Sequence, residues 1–290
     1  MWYKRIGDYK SGFKFYKNNN EITNDKLLLF FKSLKIPPAY NNVSINSNKN
    51  SKILAFGFDS KNRKQVIYHP KFIKEQTNKK YERFIRLEKE IPKIKNIIFK
   101  DIKSTNIKKK EIAIILFMIL NCGFRIGNDK YVKENNSYGL TTLEFRHLIF
   151  NKKNIIIEFV GKKGVINKSI CNNITIYNYL LNKKTNSKED SRVFSYHINE
   201  TIYNINSKDV NIYLKKINNE ITSKDLRTWN ANHLFIKYIN DENILKEKNP
   251  IKKAIEMVAF DLHNTPAICR KSYLHPEIIF FIENKIKNDK

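Results

Sequence analysis

Residues 111–120 read Glu-Ile-Ala-Ile-Ile-Leu-Phe-Met-Ile-Leu, and they constrain the fold more than any other stretch. At 3.6 residues per turn, these apolar side chains point in every direction around a helix. A helix over residues 108–122 therefore has no face to give to water and must lie at the centre of a domain. The apolar run at 112–120 is far too short for a bilayer, which takes about 20 residues. Cys122-Gly123 closes the helix as a C-cap would, and Arg125 follows two residues later. An arginine just after a buried helix and a glycine is held rigidly at the edge of the core, a good place to grip a phosphate.

Before that helix the texture is different. Residues 51–58 and 64–68 alternate as two strands of a hairpin, with residues 59–63 as the turn. A short helix over residues 24–34 stops before Ile36-Pro37-Pro38, which forces an extended break. The hairpin groups Lys61, Arg63, Lys64 and Gln65 beside Tyr68, a basic and aromatic face suited to a nucleic-acid backbone or groove. A solvated turn has the same composition. Beyond residue 75 helical periodicity takes over, at 81–98 and 108–122, then at 174–181, 202–217 and 251–262. Ser223 can cap a further helix that turns Trp229 and Phe235 to the core, and residues 182–190 read as a loose surface loop. Residues 133–143 form a polar loop, residues 154–160 a strand, and residues 165–170 its return past a turn that carries Lys162 and Lys163. Two lysines on a turn often only keep a sheet edge soluble. The fold class is α+β: a small, mostly β domain at 1–75, then a larger, mainly helical domain with a β-hairpin at 76–290.

Lys and Arg number 55 against 28 Asp and Glu, a net charge of +27. A globular chain this basic meets a polyanion, with nucleic acid the leading candidate. AT-rich coding inflates Lys but disfavours Arg, so the arginines are the more informative cations. Three widely spaced cysteines without a paired His argue against a disulfide framework or a zinc site and fit a reducing compartment. The N-terminus has no apolar signal segment. The expectation is an intracellular protein that works with DNA, in cytoplasm, nucleoid or virion, and not with a membrane. No paired carboxylates, Walker loop, GxGxxG or metal cluster is present, so no cofactor and no metal are expected.

What recurs is a rigidly placed cation: Arg125, Lys162, then Arg227 at a helix start. Tyr273 closes the series, one of 15 tyrosines and distinguished only by what lies upstream of it. Cations with a tyrosine are what metal-free transesterification of a phosphodiester needs. Two guanidiniums can hold the non-bridging oxygens and stabilise a pentacoordinate transition state. A lysine can protonate the departing 5′ oxygen. The phenol, with an ordinary pKa of about 10, is activated by the same positive field.

Four blocks, in order, make the chain resemble the small type IB DNA topoisomerases of the poxvirus and bacterial-type group. They are Arg125-Ile126-Gly127-Asn128 through Gly139-Leu140-Thr141-Thr142-Leu143; Phe159-Val160-Gly161-Lys162; Lys224-Asp225-Leu226-Arg227-Thr228; and Asn264-Thr265-Pro266-Ala267-Ile268-Cys269-Arg270-Lys271-Ser272-Tyr273. Residues 56–68 also resemble the poxvirus N-terminal hairpin, so the likeness covers nearly the whole chain. The resemblance implies a two-domain clamp on duplex DNA and a mainly helical catalytic domain at 76–290. It further implies a nick with a 3′-phosphotyrosyl bond, strand rotation, and religation without ATP or metal by a monomer. In that family's roles Tyr273 is the nucleophile, Arg125 and Arg227 bind the scissile phosphate, and Lys162 is the general acid, with Lys163 a neighbour that could share its role. Lys61, Arg63, Lys64, Gln65, Tyr68, Tyr131, Lys133, Lys163, Lys224 and Arg270 are the residues expected to face DNA.

Two positions depart from the commonest pattern. Asn264, nine residues before Tyr273, stands where a histidine is frequent, and His263 lies one residue earlier. An Asn amide can still donate to a phosphate oxygen, so Asn264 takes the fifth catalytic place and His263 a structural one, one helical step of about 100° away. Val66 replaces an aromatic of the poxvirus hairpin, which puts poxvirus-style recognition of a short pyrimidine-rich site in doubt. A tyrosine recombinase is the main alternative. It typically has His-x-x-Arg where this chain has Lys224-Asp225-Leu226-Arg227, and a helical domain where this chain has a β segment. A catalytically inactive DNA-binding protein is a further one, opposed by the complete set of polar residues.

Overall fold

A computed structural model describes residues 1–288. The chain divides into two compact units, Met1–Lys80 and a second that begins at Tyr81. The change of texture predicts a boundary at residue 75 instead.

The first unit comprises β1 (Trp2–Asp8), β2 (Gly12–Lys17), β3 (Asn20–Glu21), α1 (Asp25–Ser33), β4 (Asn41–Asn46), β5 (Ile53–Phe58) and β6 (Lys64–Tyr68). Among the described residues these strands form one antiparallel six-stranded sheet in the order β3-β2-β1-β4-β5-β6. Helix α1, capped where Asn24 Oδ1 accepts the Leu27 N–H, lays Phe31 onto the sheet between the rings of Tyr3 and Phe15. Arg5 donates to the carbonyls of Ile36, Pro37, Pro38 and Tyr40, so the Pro-Pro break is fastened to β1. The hairpin β5–β6 turns at Asp59, as its alternation predicts.

Helix α2 (Pro70–Asp101) leads into the second unit and starts well before residue 81. Before Tyr81 it carries only Phe72 and Ile73 as apolar residues besides Pro70, too few to mark a stripe, although Pro70 at the start and a bond from Lys71 N–H to His69 Nδ1 are proper initiation signals. Then come α3 (Ile107–Cys122), α4 (Asp129–Asn135), β7 (Leu148–Asn151), β8 (Asn154–Val160), β9 (Ile166–Cys171), α5 (Ile174–Thr185), β10 (Ser195–Ile198) and β11 (Thr201–Asn204). The chain ends with α6 (Ser207–Ile217), α7 (Ser223–Ile239), α8 (Glu242–Leu245), α9 (Pro250–Asp261), α10 (Pro266–Ser272) and α11 (Pro276–Asn288). The molecule is α+β, with a sheet region first and a mostly helical region after it.

Helix α3 is the buried centre that its sequence demands: Ala113, Ile114, Ile115, Leu116 and Met118 are wholly covered. Even Glu111 at its start is buried. It accepts from the Tyr179 hydroxyl at 2.8 Å and from Lys183, which also donates to the carbonyls of Val193 and Ser195. Shared in this way, the carboxylate sews α3 to α5 and β10.

Several local expectations are corrected. Part of the polar loop at 133–143 is the end of α4, started by Asn128 Oδ1 accepting the Lys130 N–H and ended by Asn136 at φ 46°. The strand pair β8–β9 gains a third member, β7, paired antiparallel to β8. The first residues of the expected helix 202–217 are strand β11, paired with β10, because Thr-Ile-Tyr-Asn suits a pleat and Asn206 then caps α6. Helix α5 runs on to Thr185, into the expected loop. Thr222, not Ser223, precedes α7, with both its N–H and its hydroxyl donating to Asp225. Among the described residues no helix is long and apolar enough to cross a membrane.

Gly123 closes α3 at φ +63°, and a Cβ there would stand 2.3 Å from the Asp261 carbonyl oxygen. The ends of α3 and α9 are thus pressed together through a glycine. Gly123→Ala combines left-handed strain with a backbone clash, and should destabilise the protein by about 2–4 kcal/mol. In a thermal melt that is a loss on the order of 5–10 °C.

Candidate functional site

Arg125 follows Gly123 into an extended segment that pairs with residues 139–141. Leu140 N–H donates to Arg125 O at 2.9 Å and Thr141 N–H to Ile126 O at 2.7 Å. The pairing needs two glycines. A Cβ on Gly139 would lie 2.5 Å from the Gly127 Cα, and Gly127 itself has φ +91°. Thr141 Oγ1 donates to Ile126 O at 2.9 Å, and Thr142 Oγ1 bonds both the N–H and the C=O of Gly139. The Gly-Leu-Thr-Thr block therefore holds the backbone beneath Arg125.

The Arg125 guanidinium donates to Asn264 Oδ1. On α7, Arg227 is only 3% exposed, although no carboxylate pairs with it among the described residues. Its Nη2 donates to the Leu262 carbonyl, and its Nε to the Tyr273 hydroxyl at 3.3 Å. Two buried donors remain without a hydrogen-bond partner at this spot, Arg227 Nη1 and Asn264 Nδ2. Unmet buried donors are rare in folded proteins, and two of them beside one tyrosine hydroxyl describe a place prepared for an anion. Tyr273 ends α10, which Thr265 caps by accepting the Ile268 N–H.

The charges act on one another. Burial lowers Arg227 to about 10, which leaves it protonated at neutral pH. Burial alone would raise the Tyr273 phenol. The charge and hydrogen bond of Arg227, then Arg125 and the Asn264 amide, outweigh burial and hold the phenol below its ordinary value. The amide lies near enough for that effect without completing a hydrogen bond from Nδ2.

His263 does not point into this group. It stacks on Phe124 with ring centroids 5.1 Å apart, and its Nε2 lies 3.3 Å from Cys122 O. The helical-step argument gives the right side for the wrong reason: α9 has already ended, and His263 sits in a left-handed turn at φ 50°. Burial, followed by the nearby arginine charges, pushes its imidazole down to about 4, so it is neutral.

Arg125, Arg227, Asn264 and Tyr273 are thus brought together. Lys162 is not: it stands exposed on the turn between β8 and β9, with no hydrogen bond or ion pair among the described residues. Lys163 beside it takes φ 64° and is exposed as well. Of the other expected residues, Tyr131 and Lys133 lie exposed on α4 and Lys224 on the first turn of α7, while Arg270 pairs with Glu283 at 3.3 Å. In the first unit, Arg63 and Gln65 both donate to Asp59 Oδ2, Lys64 lies over the Phe56 ring at 4.0 Å, and Lys61 and Tyr68 are exposed. Among the described residues no three His, Cys, Asp or Glu side chains are grouped so as to hold a metal ion.

Sequence reasoning missed Asn232. This residue of α7 is 1% exposed, and its Nδ2 donates to Thr228 O at 2.8 Å and to Tyr273 O at 2.9 Å. Its Oδ1 accepts the His275 N–H at 2.7 Å. One amide thus ties the backbone on both sides of Leu274 to the helix that carries Arg227. The available signal was an asparagine inside the core-facing stretch between Leu226 and Phe235.

Comparison with known proteins returns two families. A model described as the catalytic core of eukaryotic DNA topoisomerase I matches residues 69–290, and one described as the N-terminal domain of bacterial DNA topoisomerase IB matches residues 12–59. DNA topoisomerase 1B of Acanthamoeba polyphaga mimivirus is 33% identical, over 95% of this chain and 89% of its own length. DNA topoisomerase 1B of vaccinia virus (strain Copenhagen) is 26% identical, over 96% of this chain and 90% of its own. DNA topoisomerase 1 of Drosophila melanogaster is 25% identical over 58% of this chain, but over only 17% of its own length.

Removing the Asn232 amide leaves the Tyr273 carbonyl and the His275 N–H unpaired in the core. Asn232→Ala should cost about 2–4 kcal/mol, read by denaturant unfolding. The imidazoles give a second expectation. His263 is depressed from about 6.5 in the unfolded chain to about 4 in the folded one. Its contribution is therefore present above the unfolded value and lost as pH falls through the folded one. His263→Asn keeps a residue tolerant of the left-handed turn, and should shrink the drop in melting temperature between about pH 7 and pH 5.

Proposed function

The chain belongs to the type IB DNA topoisomerases, and we propose that it relaxes supercoiled duplex DNA by nicking one strand through Tyr273 and resealing it after rotation. Topoisomerases are isomerases that act on DNA. The observation that carries the mechanism is the pair of unmet buried donors, Arg227 Nη1 and Asn264 Nδ2, beside a phenol that its neighbours push toward ionisation.

Tyr273 Oη attacks the scissile phosphorus, the phenol gives its proton to solvent water, and the bond from phosphorus to the 5′ oxygen breaks. A 3′-phosphotyrosyl ester and a free 5′ hydroxyl result. Arg125 and Arg227 hold the non-bridging oxygens, on which charge grows in the transition state, and the Asn264 amide donates to one of them. Lys162 protonates the departing 5′ oxygen. Religation runs the same steps backwards. One phosphodiester is exchanged for another, so resealing needs no nucleotide hydrolysis. Every group comes from one chain, so a monomer suffices. The exposed cations of both units, Lys61, Lys64, Lys133, Lys163 and Lys224 among them, bind the phosphate backbone.

The test is relaxation of supercoiled plasmid in EDTA without ATP. Wild type should relax it and leave a trapped covalent adduct at the 3′ side of the nick, whereas Tyr273→Phe should do neither. Joining of specific sites between two DNAs, with supercoils left intact, would instead mark a recombinase. Asn264→Ala should slow single-turnover cleavage by about 10²-fold, and Arg227→Ala by about 10³-fold or more. The pH profile has a definite sign. Arg227 is the main influence that lowers the phenol, so in Arg227→Gln burial prevails and the rising limb of cleavage moves to higher pH. DNA affinity should fall steeply with salt, with a log–log slope of roughly −0.9 per phosphate neutralised.

A further inference from the structure

The turn that carries Lys162 is built on a buried amide. Strands β8 and β9 run in register up to Phe159 opposite Asn167 and Val160 opposite Ile166. Beyond them the chain turns tightly: Gly161 N–H donates to Val165 O at 2.7 Å, and Gly164 N–H to Gly161 O at 3.1 Å. Lys163 and Gly164 take the left-handed conformation in succession, at φ 64° and 75°. Every residue from Lys162 to Ile166 is exposed, yet Asn167 is 1% exposed. Its Nδ2 donates to Val165 O at 2.8 Å, the same oxygen that accepts Gly161 N–H. The amide also packs closely against Gly161, where a Cβ would come within 2.1 Å of Nδ2.

We propose that Asn167 is the positioning residue that aims Lys162, with Gly161 as the space it requires. The inference rests on the reading of Lys162 as general acid. The Val165 carbonyl is clamped by two donors, one from each side of the turn, and Val160 O is fixed below by the Tyr138 N–H at 2.8 Å. The backbone of Lys162 therefore leaves a fixed base and enters a left-handed turn, and only its side-chain torsions remain free. A general acid has to come within about 2.6–3.2 Å of the oxygen it protonates. A misplacement of about 1 Å in a reacting group costs on the order of 10²-fold in rate. A buried apolar residue would fill the space under the turn equally well, but could not bond the Val165 carbonyl. Burying an amide on an otherwise exposed tip makes sense if the direction of the turn matters. Gly161 is then required for a reason other than conformational freedom, because its φ of −96° is open to any residue.

The test compares single-turnover cleavage of ordinary DNA with cleavage of DNA that has sulfur in place of the bridging 5′ oxygen. A thiolate leaves without protonation, so a defect in proton delivery disappears on the sulfur substrate, whereas damage to the nucleophile or phosphate grip persists. Asn167→Ala and Gly161→Ala should each cleave ordinary DNA about 10–100-fold more slowly, while remaining within about threefold of wild type on the sulfur substrate. Lys162→Ala should behave the same way. Should Asn167→Ala melt early, Asn167→Ser keeps a donor for Val165 O and should show the same selectivity with a smaller deficit. If Lys162→Ala is rescued by sulfur but the Asn167 variants slow both substrates alike, or slow neither, Asn167 does not aim the lysine. If Lys162→Ala is itself not rescued, the general-acid reading fails and this inference falls with it.

Discussion

Arg227 is a cation almost wholly removed from water with no carboxylate to pair with. The net penalty for such a charge is several kcal/mol, even after the protein relaxes around it. The large core around α3 must offset that penalty, and it does so with no neutralising partner at hand. The guanidinium spends two of its edges on the Leu262 carbonyl and the Tyr273 hydroxyl and keeps Nη1 unpaired. A carboxylate in that position would be better for stability and would fill the place that the proposed mechanism gives to the phosphate. Positive potential held in a poorly hydrated site also bears on the phenol, and it turns the upward push of burial into a net downward shift.

Keeping so poor an arrangement from relaxing takes close backbone packing, and the glycines mark where it occurs. Gly123 lets α3 meet the end of α9 beside Leu262, whose carbonyl Arg227 uses. Gly127 and Gly139 let two extended segments touch beneath Arg125. Asn232 then locks the tyrosine segment to α7, so that Tyr273 and Arg227 share a support. None of these contacts touches a reacting atom. They make the separation of Arg125, Arg227, Asn264 and Tyr273 a property of the folded chain.

Much of this was legible in the sequence, and the limits have physical causes. The burial of α3 follows from apolar residues on every side, and the hairpin β5–β6 from its alternation, because one-dimensional patterns record directly which faces water touches. Arg125 could be located because helix, cap and arginine are contiguous. The start of α2 escapes the pattern because Phe72 and Ile73 are too few apolar residues, over its first three turns, to mark a stripe. Strand β11 was mistaken for helix because a run of four residues fits both periods. Asn232 and Asn167 were invisible for a stronger reason. Each acts through hydrogen bonds to main-chain carbonyls, and a carbonyl has no letter in the sequence.

The exposure of Lys162 follows from the same electrostatics. A third cation brought within about 5 Å of either guanidinium, without an anion present, meets a repulsion of about 3 kcal/mol at an effective dielectric near 20. Water is the better place for that ammonium, and in the structure its turn stands in water. A phosphodiester changes the balance by adding one negative charge, and the transition state adds a second. On the proposed mechanism the lysine is then attracted where it was repelled. Arg227 can be built into the core and Arg125 held at its edge because helix ends and glycines fix them there, whereas a lysine proposed to approach only after the anion arrives belongs on a hairpin tip. Such a tip still has to point the right way, and on our proposal the buried Asn167 amide beneath it, bonded to the carbonyl of the turn, keeps that direction while the side chain stands in solvent.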